Sequence, residues 1–249
     1  MAILCYHAID PAWASPLAIT PRAFRRQCSW LARHRQVVDL ATAVRHADAA
    51  GRLPRGMVVL TFDDGFASVY EHALPVLFDH GFPATIFLVA DAVAAGTPAG
   101  WVKAWDNPPP EPLPTLTVAQ ILEMQRAGVS FGSHSCAHHD LTQLGEQECE
   151  QDLRKSRELL ESELGRSVPF LSFPFGRHNE AVRRAAERAG YANAFSLPDV
   201  PEPAHPHALP RMGVLPNVGL AMLSVKTSWW YPRVRTRPPY STLRSLLRA

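Results

Sequence analysis

Cysteine is scarce in this 249-residue chain: Cys5, Cys28, Cys136 and Cys149 are all there are, and no two stand in the close spacing of a zinc knuckle or a redox pair. Free thiols are expected, with Cys5 and Cys28 as small buried hydrophobes. No run approaches the roughly eighteen apolar residues of a membrane-spanning helix. Met1 leads straight into Ala2-Ile3-Leu4-Cys5-Tyr6 without a charged leader or a cleavage site, which sets the expectation of a cytoplasmic protein. Charge imbalance is small as well, a net +2, too little to indicate nucleic acid as a partner. Internal repeats are absent. What the chain does have is length and 47% hydrophobic residues, enough for one sizeable core at the size where α/β barrels occur.

Short β-branched runs alternate with amphipathic ones, the organisation of a parallel α/β protein. Strands are expected to end at Tyr6, over Met57–Phe62, Ala84–Val89, Val129–Gly132, Phe170–Phe173 and Ala192–Ser196. Between them, helices are expected over Pro21–His34 behind a Thr20 cap, Ala41–Ala50, a segment with Val69, Leu74, Leu77 and Phe78 ending at Gly81, Val118–Gln125, Glu146–Leu164 and Asn179–Ala189. From Gly96 to Thr115 the rhythm breaks into a proline-rich loop carrying Trp101 and Trp105. A loop of that length in a compact domain tends to be functional, and the two tryptophans are candidates for a sugar-stacking wall, with plain packing on the rim as the alternative.

Polar residues collect where the apolar runs stop: His7 after the first, Thr61-Phe62-Asp63-Asp64-Gly65 at a middle one, His134-Ser135-Cys136-Ala137-His138 at another, and Pro174-Phe175-Gly176 at a fourth. In a closed barrel the C-terminal strand ends converge on one mouth, whereas an open sheet spreads them along an edge. Carboxylates and imidazoles near a core need a partner, and a divalent cation bound by Asp, His and His meets that need. Cys136 lies between the two histidines and is read either as filling the loop or as approaching the cation.

These motifs resemble those of the NodB-type polysaccharide deacetylases. Thr61 to Gly65 is similar to the first family motif, His134 to His138 to its H-S/T-x-x-H motif, and Ser172-Phe173-Pro174-Phe175-Gly176 to the end of the third, over about Leu4 to Val214. The resemblance implies an α/β fold, a distorted, incomplete (β/α) barrel with about seven parallel strands, and removal of N-acetyl groups from N-acetylhexosamine units of a glycan or glycan precursor. It implies Asp64, His134 and His138 as ligands of a divalent metal, zinc first with cobalt, nickel or manganese as alternatives. Asp63 is implied as catalytic base and the Phe175 backbone N–H as oxyanion donor.

Two family features are absent. The third motif has no Arg to orient the base, and Arg211, just before a strand-like Gly213-Val214-Leu215, is the candidate to reach Asp63 from the rim, against a solvated Arg. The late Leu-x-His is missing too. His7 is the candidate replacement, because the chain is similar to the permuted poly-N-acetylglucosamine deacetylase branch, whose acid histidine lies near the N-terminus. Two alternatives stay open: a catalytically weak glycan-binding protein, and an amidohydrolase of the same superfamily acting on a small cyclic amide. A dehalogenase-type phosphatase fails on spacing, since Gly65 stands where a second Asp is required. Residues 1–227 are read as the barrel. Residues 228–249, with Trp229-Trp230-Tyr231 and a series of arginines, are read as a basic aromatic tail that either contacts the inner face of a membrane or is solvated. The expected partner is an acetylated glycan.

Overall fold

The computed structural model describes residues 2–46, 54–104, 108–109, 111–198, 200, 202 and 205–234. In chain order the strands are β1 (Ala2–Tyr6), β2 (Ala8–Ile9), β3 (Ala18–Ile19), β4 (Gln36–Val37), β5 (Met57–Phe62), β6 (Thr85–Leu88), β7 (Ser130–Ser133), β8 (Phe170–Ser172), β9 (Asn193–Ser196), β10 (Leu209–Pro210) and β11 (Met212–Gly213). The helices are α1 (Pro21–His34), α2 (Leu40–Arg45), α3 (Leu74–His80), α4 (Ala90–Ala95), α5 (Val118–Arg126), α6 (Glu146–Leu164), α7 (Glu180–Arg188), α8 (Leu220–Lys226) and α9 (Tyr231–Val234). The strand order β10-β9-β8-β7-β6-β5-β1-β11 is parallel throughout, with β4 added on β5.

Strands β10 and β11 are successive halves of one run, Leu209–Gly213. Its first half pairs with β9 and its second with β1, so the two edges of the sheet meet on it. Counting that run once, with β1, β5, β6, β7, β8 and β9, gives seven staves, and the expected parallel barrel of about seven strands is the fold the chain forms. The seam lies two to four residues earlier than the expected strand at Gly213-Val214-Leu215. Arg211 therefore sits inside the seam, fully buried, rather than on the rim.

Period-2 alternation on β1 and β5 fills the interior in layers. Ile3, Val59, Phe87, Phe195 and Leu209 form an apolar floor, while Leu4, Leu60 and Phe62 face the helices in the larger core cluster. Above the floor come Cys5, Thr61 and Arg211, whose guanidinium carbon stands 5.2 Å from the centre of the Phe87 ring. Gly132 leaves space for that ring, since a Cβ there would come within 2.6 Å of it. The strands thus carry apolar side chains at the bottom and polar ones towards the mouth.

Helix α1 follows its sequence signals: Thr20 Oγ1 accepts from Ala23 N at 3.2 Å, and Phe24, Gln27, Cys28 and Leu31 form the buried stripe. Helix α2 runs over Leu40–Arg45 instead of Ala41–Ala50, capped by the Asp39 carboxylate, and residues 47–53 are outside the described set. Phe78, expected on the helix ending at Gly81, is 77% exposed. The boundary expected at Ser228 falls within packed structure: Tyr231 is buried in the main core and Trp230 packs against it. Residues 235–249, which hold the remaining tail arginines, are outside the described residues. No described helix is long and apolar enough to cross a membrane.

Candidate metal centre

The barrel lattice continues one residue past the strand ends and pins the polar motifs. Asp63 N donates to Tyr6 O (2.9 Å), His134 N to Leu88 O (2.7 Å), and Arg211 N to Ser196 O (2.9 Å). The loop between the two histidines is held by the start of α4, where Ala90 N and Asp91 N donate to the carbonyls of Ser135 and Cys136. Among the described residues, the non-glycine residues with positive φ are Asp64 (71°), Ser135 (67°), His138 (60°) and Phe175 (59°), all in these motifs. Such left-handed residues cost about 1–3 kcal/mol each and persist only where surrounding structure enforces them. Here Asp64, Ser135 and His138 are buried by these turns, while Phe175 stays half-exposed at the mouth.

Asp64, His134 and His138 each offer one ligand atom within 4.8 Å of the others, and all three are buried. His138 Nε2 is 3.2 Å and His134 Nε2 3.8 Å from Asp64 Oδ1. Ligands about 2.0–2.1 Å from a tetrahedral cation stand roughly 3.3 Å from one another, so these separations fit a shared ion. His134 Nδ1 lies 2.8 Å from the carbonyl of Ser172, which can only accept, so the proton is on Nδ1 and Nε2 turns a lone pair towards the carboxylates. Burial, the largest influence, lowers the His134 pKa to about 4, so at neutral pH its contacts to Asp63 and Asp64 are not ion pairs. Electron-rich atoms are left facing one another. Asp64 Oδ2 is also buried with no hydrogen-bond partner. An oxygen–nitrogen–nitrogen set of this kind fits a divalent cation.

Asp63 is placed differently. Arg211 grips it bidentately, Nη1 to Oδ1 at 2.7 Å and Nη2 to Oδ2 at 2.6 Å, and also donates to Ser172 Oγ (2.6 Å) and Thr61 Oγ1 (3.2 Å). Burial pushes the Asp63 carboxyl up, but Arg211, His134 and the hydrogen bonds outweigh it and hold the group well below the usual carboxylate range. Arg211 stays charged for the reciprocal reason, with Asp63 overcoming its burial. The partner that the third motif lacks is thus supplied from the barrel seam. A second group of ligand types, Cys5, His7 and Asp63, also lies together, with Cys5 Sγ 3.4 Å from Asp63 Oδ2. It is poorly suited to a cation, because both Asp63 oxygens already take Arg211 and burial raises the Cys5 thiol well above its ordinary pKa.

The other candidates separate. His7 lies one residue beyond β1, half-buried beside Asp63, with a buried Nδ1 that has no hydrogen-bond partner. Phe175 exposes nearly half its surface, and its ring stands edge-to-face with that of His138, their centres 4.8 Å apart. Trp101, expected as a sugar-facing wall, is half-buried: its Nε1 donates to Asp64 Oδ1 at 3.2 Å and its ring stacks on His138 at 5.5 Å. Trp105 lies outside the described residues. Cys136 points away from the ligands, with Sγ 3.2 Å from Asp91 Oδ1, so it fills the loop and does not approach the cation site. Sequence reasoning missed Ser172 and Cys5 as contacts of Asp63. The inward alternation of β1 and the third motif's end were the only signals for them.

A parallel barrel with a buried Asp/His/His cradle and an Arg-paired carboxylate at its mouth has the layout of a metal-dependent hydrolase. The sequence model of the polysaccharide deacetylase family matches residues 50–194, more than half of the chain, and the chain belongs to that family. Among relatives, the Bacillus subtilis (strain 168) protein YxkH is 28% identical over 192 residues, covering 77% of this chain and 62% of its own length. A poly-β-1,6-N-acetyl-D-glucosamine N-deacetylase of Staphylococcus epidermidis is 25% identical over 210 residues, 78% of this chain and 67% of that one. The chain thus spans about two thirds or less of these relatives' lengths. In fold it is similar to the Streptococcus pyogenes deacetylase PplD (TM-score 0.78, 24% identity, 92% and 98% of the two chains). It is also similar to IcaB from Ammonifex degensii (TM-score 0.74, 24% identity, 91% and 96%).

Proposed function

We propose that this protein is a metal-dependent hydrolase that removes N-acetyl groups from N-acetylhexosamine units of a glycan. β-1,6-linked N-acetylglucosamine oligomers are the first substrates to test, because a relative over most of the chain is named for that polymer. One observation carries the proposal: three buried ligand types face a common point, and the Arg211-held carboxylate of Asp63 stands beside them, its Oδ2 3.9 Å from His134 Nε2. A divalent cation held by Asp64, His134 and His138 supplies Lewis-acid polarisation and a lowered pKa for water in the site.

The chain's own groups do the rest. Asp63 accepts the proton of the attacking water, and Arg211 keeps it ionised and fixes its plane in a site where burial alone would neutralise it. Its neighbours Ser172 and Cys5 donate to Oδ2 and confine it further. Phe175, in its left-handed conformation, offers its backbone N–H to the oxyanion that develops on the acetyl carbonyl. His7 protonates the departing amine.

Acetate release from acetylated β-1,6- and β-1,4-glucosamine oligomers tests this. Asp63→Asn removes the base without removing a ligand, so turnover should fall by about 10²–10⁴-fold with the cation retained. Wild-type turnover in that variant, or a wild-type protein that holds the cation and is inert on every acetylated glycan, would overturn the proposal, the second result in favour of a glycan-binding role.

A further inference from the structure

Trp101 belongs to the long loop that interrupts the strand–helix rhythm, on a single helical turn over Gly100–Ala104. That turn is fastened to the segment that carries Asp64. Leu116 N donates to Gly65 O (2.8 Å), Ala67 N to Pro114 O (2.9 Å), and Phe66 and Thr115 form an antiparallel bridge. Across the loop, Ala99 N donates to Leu113 O (2.9 Å) and Thr115 Oγ1 to Thr97 O (2.8 Å). Ala99 and Val102 are fully buried against Ala8, Ala18 and Phe66, and Trp101 packs on that cluster. The indole is therefore held by the same backbone unit as the carboxylate it touches.

Its hydrogen bond and its ring stacking, among the described residues, go to members of the cation cradle. The indole N–H, which can only donate, is 3.2 Å from Asp64 Oδ1, while Oδ2 of the same carboxylate has no hydrogen-bond partner. The ring lies nearly parallel to the His138 imidazole, at 17° and 5.5 Å between centres. Oδ1 is also the oxygen that faces the two histidine nitrogens, so a donor on it fixes the plane of the carboxylate and leaves its second lone pair for the ion, and a stacked ring restricts rotation of the imidazole. We infer that Trp101 is a positioning residue for the cation: it presets the Asp64 carboxylate and the His138 ring, and through it the cation and the 97–116 loop are coupled. This rests on reading Asp64, His134 and His138 as the cation site. Trp101 is assigned no part in the bond-making steps.

The test uses the full chain stripped of metal by a chelator and titrated with Co²⁺, followed by visible d–d absorption and by the melting temperature with and without ion. Trp101→Phe keeps a ring and loses the N–H, and Trp101→Ala loses both. The expected result is a Kd raised about 10-fold in the first and up to about 100-fold in the second, with an altered d–d band and a smaller ion-induced rise in melting temperature. Wild-type protein gives an independent readout, in which Co²⁺ slows amide hydrogen exchange over residues 100–104 as well as at the ligands. A Trp101→Phe Kd within about twofold of wild type, far below the usual effect of an outer partner, overturns the inference. So does a rise in KM with the cation Kd unmoved, which is the signature of a sugar contact alone, or exchange over 100–104 that ignores the ion. Asp64→Asn separates the two levels. If it abolishes Co²⁺ binding while Trp101→Phe does nothing, only this inference falls; if wild-type protein takes up no Co²⁺, the cation site itself falls, and the inference with it.

Discussion

Replacing Arg211 by Met is the sharpest perturbation of this barrel. The guanidinium is fully buried and donates to both Asp63 oxygens, to Ser172 and to Thr61. Methionine fills much of the same volume but leaves Asp63 buried without its counter-charge. Breaking a buried pair from one side costs about 3–5 kcal/mol, a large part of the roughly 5–15 kcal/mol that holds a domain folded. For a chain of this size that corresponds to a drop in melting temperature of about 6–20 °C. Without Arg211 the largest remaining influence on Asp63 is burial, which raises its pKa, so the variant should also take up a proton at Asp63 that the wild type does not. The double variant Asp63→Asn/Arg211→Met removes both charges and should be more stable than Arg211→Met alone by about 1–3 kcal/mol, the size of coupling seen between groups in direct contact. Arg211→Lys keeps the charge but not the fork, and should lie between wild type and Met. Thermal and urea unfolding of the four proteins measure this. An Arg211→Met variant melting within about 2 °C of wild type, or a double variant no more stable than it, would refute the claim that an ion pair at the seam holds the Asp63 carboxylate in place.

Other outcomes follow from the same geometry. His134 has a folded-state pKa of about 4 against an ordinary 6.5, so between those values the unfolded chain binds a proton that the folded chain does not. Stability of the metal-free protein should therefore fall as pH drops through that window, by up to about 3 kcal/mol for a difference of roughly 2.5 units, and His134→Gln should flatten the slope. Asp63, whose folded-state pKa is depressed, adds a further loss only below the ordinary carboxylate range, as pH falls towards its folded value. Gly176 has φ 68°, and a Cβ there would meet Leu197, with its backbone N at 2.6 Å. Gly176→Ala should lower stability by more than about 1 kcal/mol and weaken acetate release by displacing the Phe175 amide, both read from one preparation.

Much of the fold could be read along the chain because its signals are local. Apolar runs of strand length, a Thr-Pro helix start at Thr20-Pro21 and a helix stop at Gly81 each depend on a few neighbouring residues. The candidate ligand set was legible for the same reason, since Asp64 closes one compact motif and His134 and His138 share another, and the three lie together in the structure. Reading fails where neighbours stop informing. Helix α2 starts one residue before its expected start at Ala41, because the Asp39 carboxylate caps it, and its expected end at Ala50 lies outside the described residues. Cys136 sits between His134 and His138 in sequence, yet the left-handed Ser135 turns the loop so that the thiol faces α4.

By itself the order of residues determined a parallel α/β chain with acids and imidazoles just beyond its strand ends, because hydrophobic periodicity and strand direction are properties of short segments. Only the tertiary structure decided which residue answers Asp63. Arg211 lies 148 positions away and reaches it because one five-residue run pairs with β9 on one side and β1 on the other, closing the barrel around the carboxylate. Only the tertiary structure brings the Trp101 indole against Asp64 and His138, by folding a loop back onto the segment that carries Asp64. Both contacts come from closure of the chain on itself, which fixes distances that no window of sequence contains.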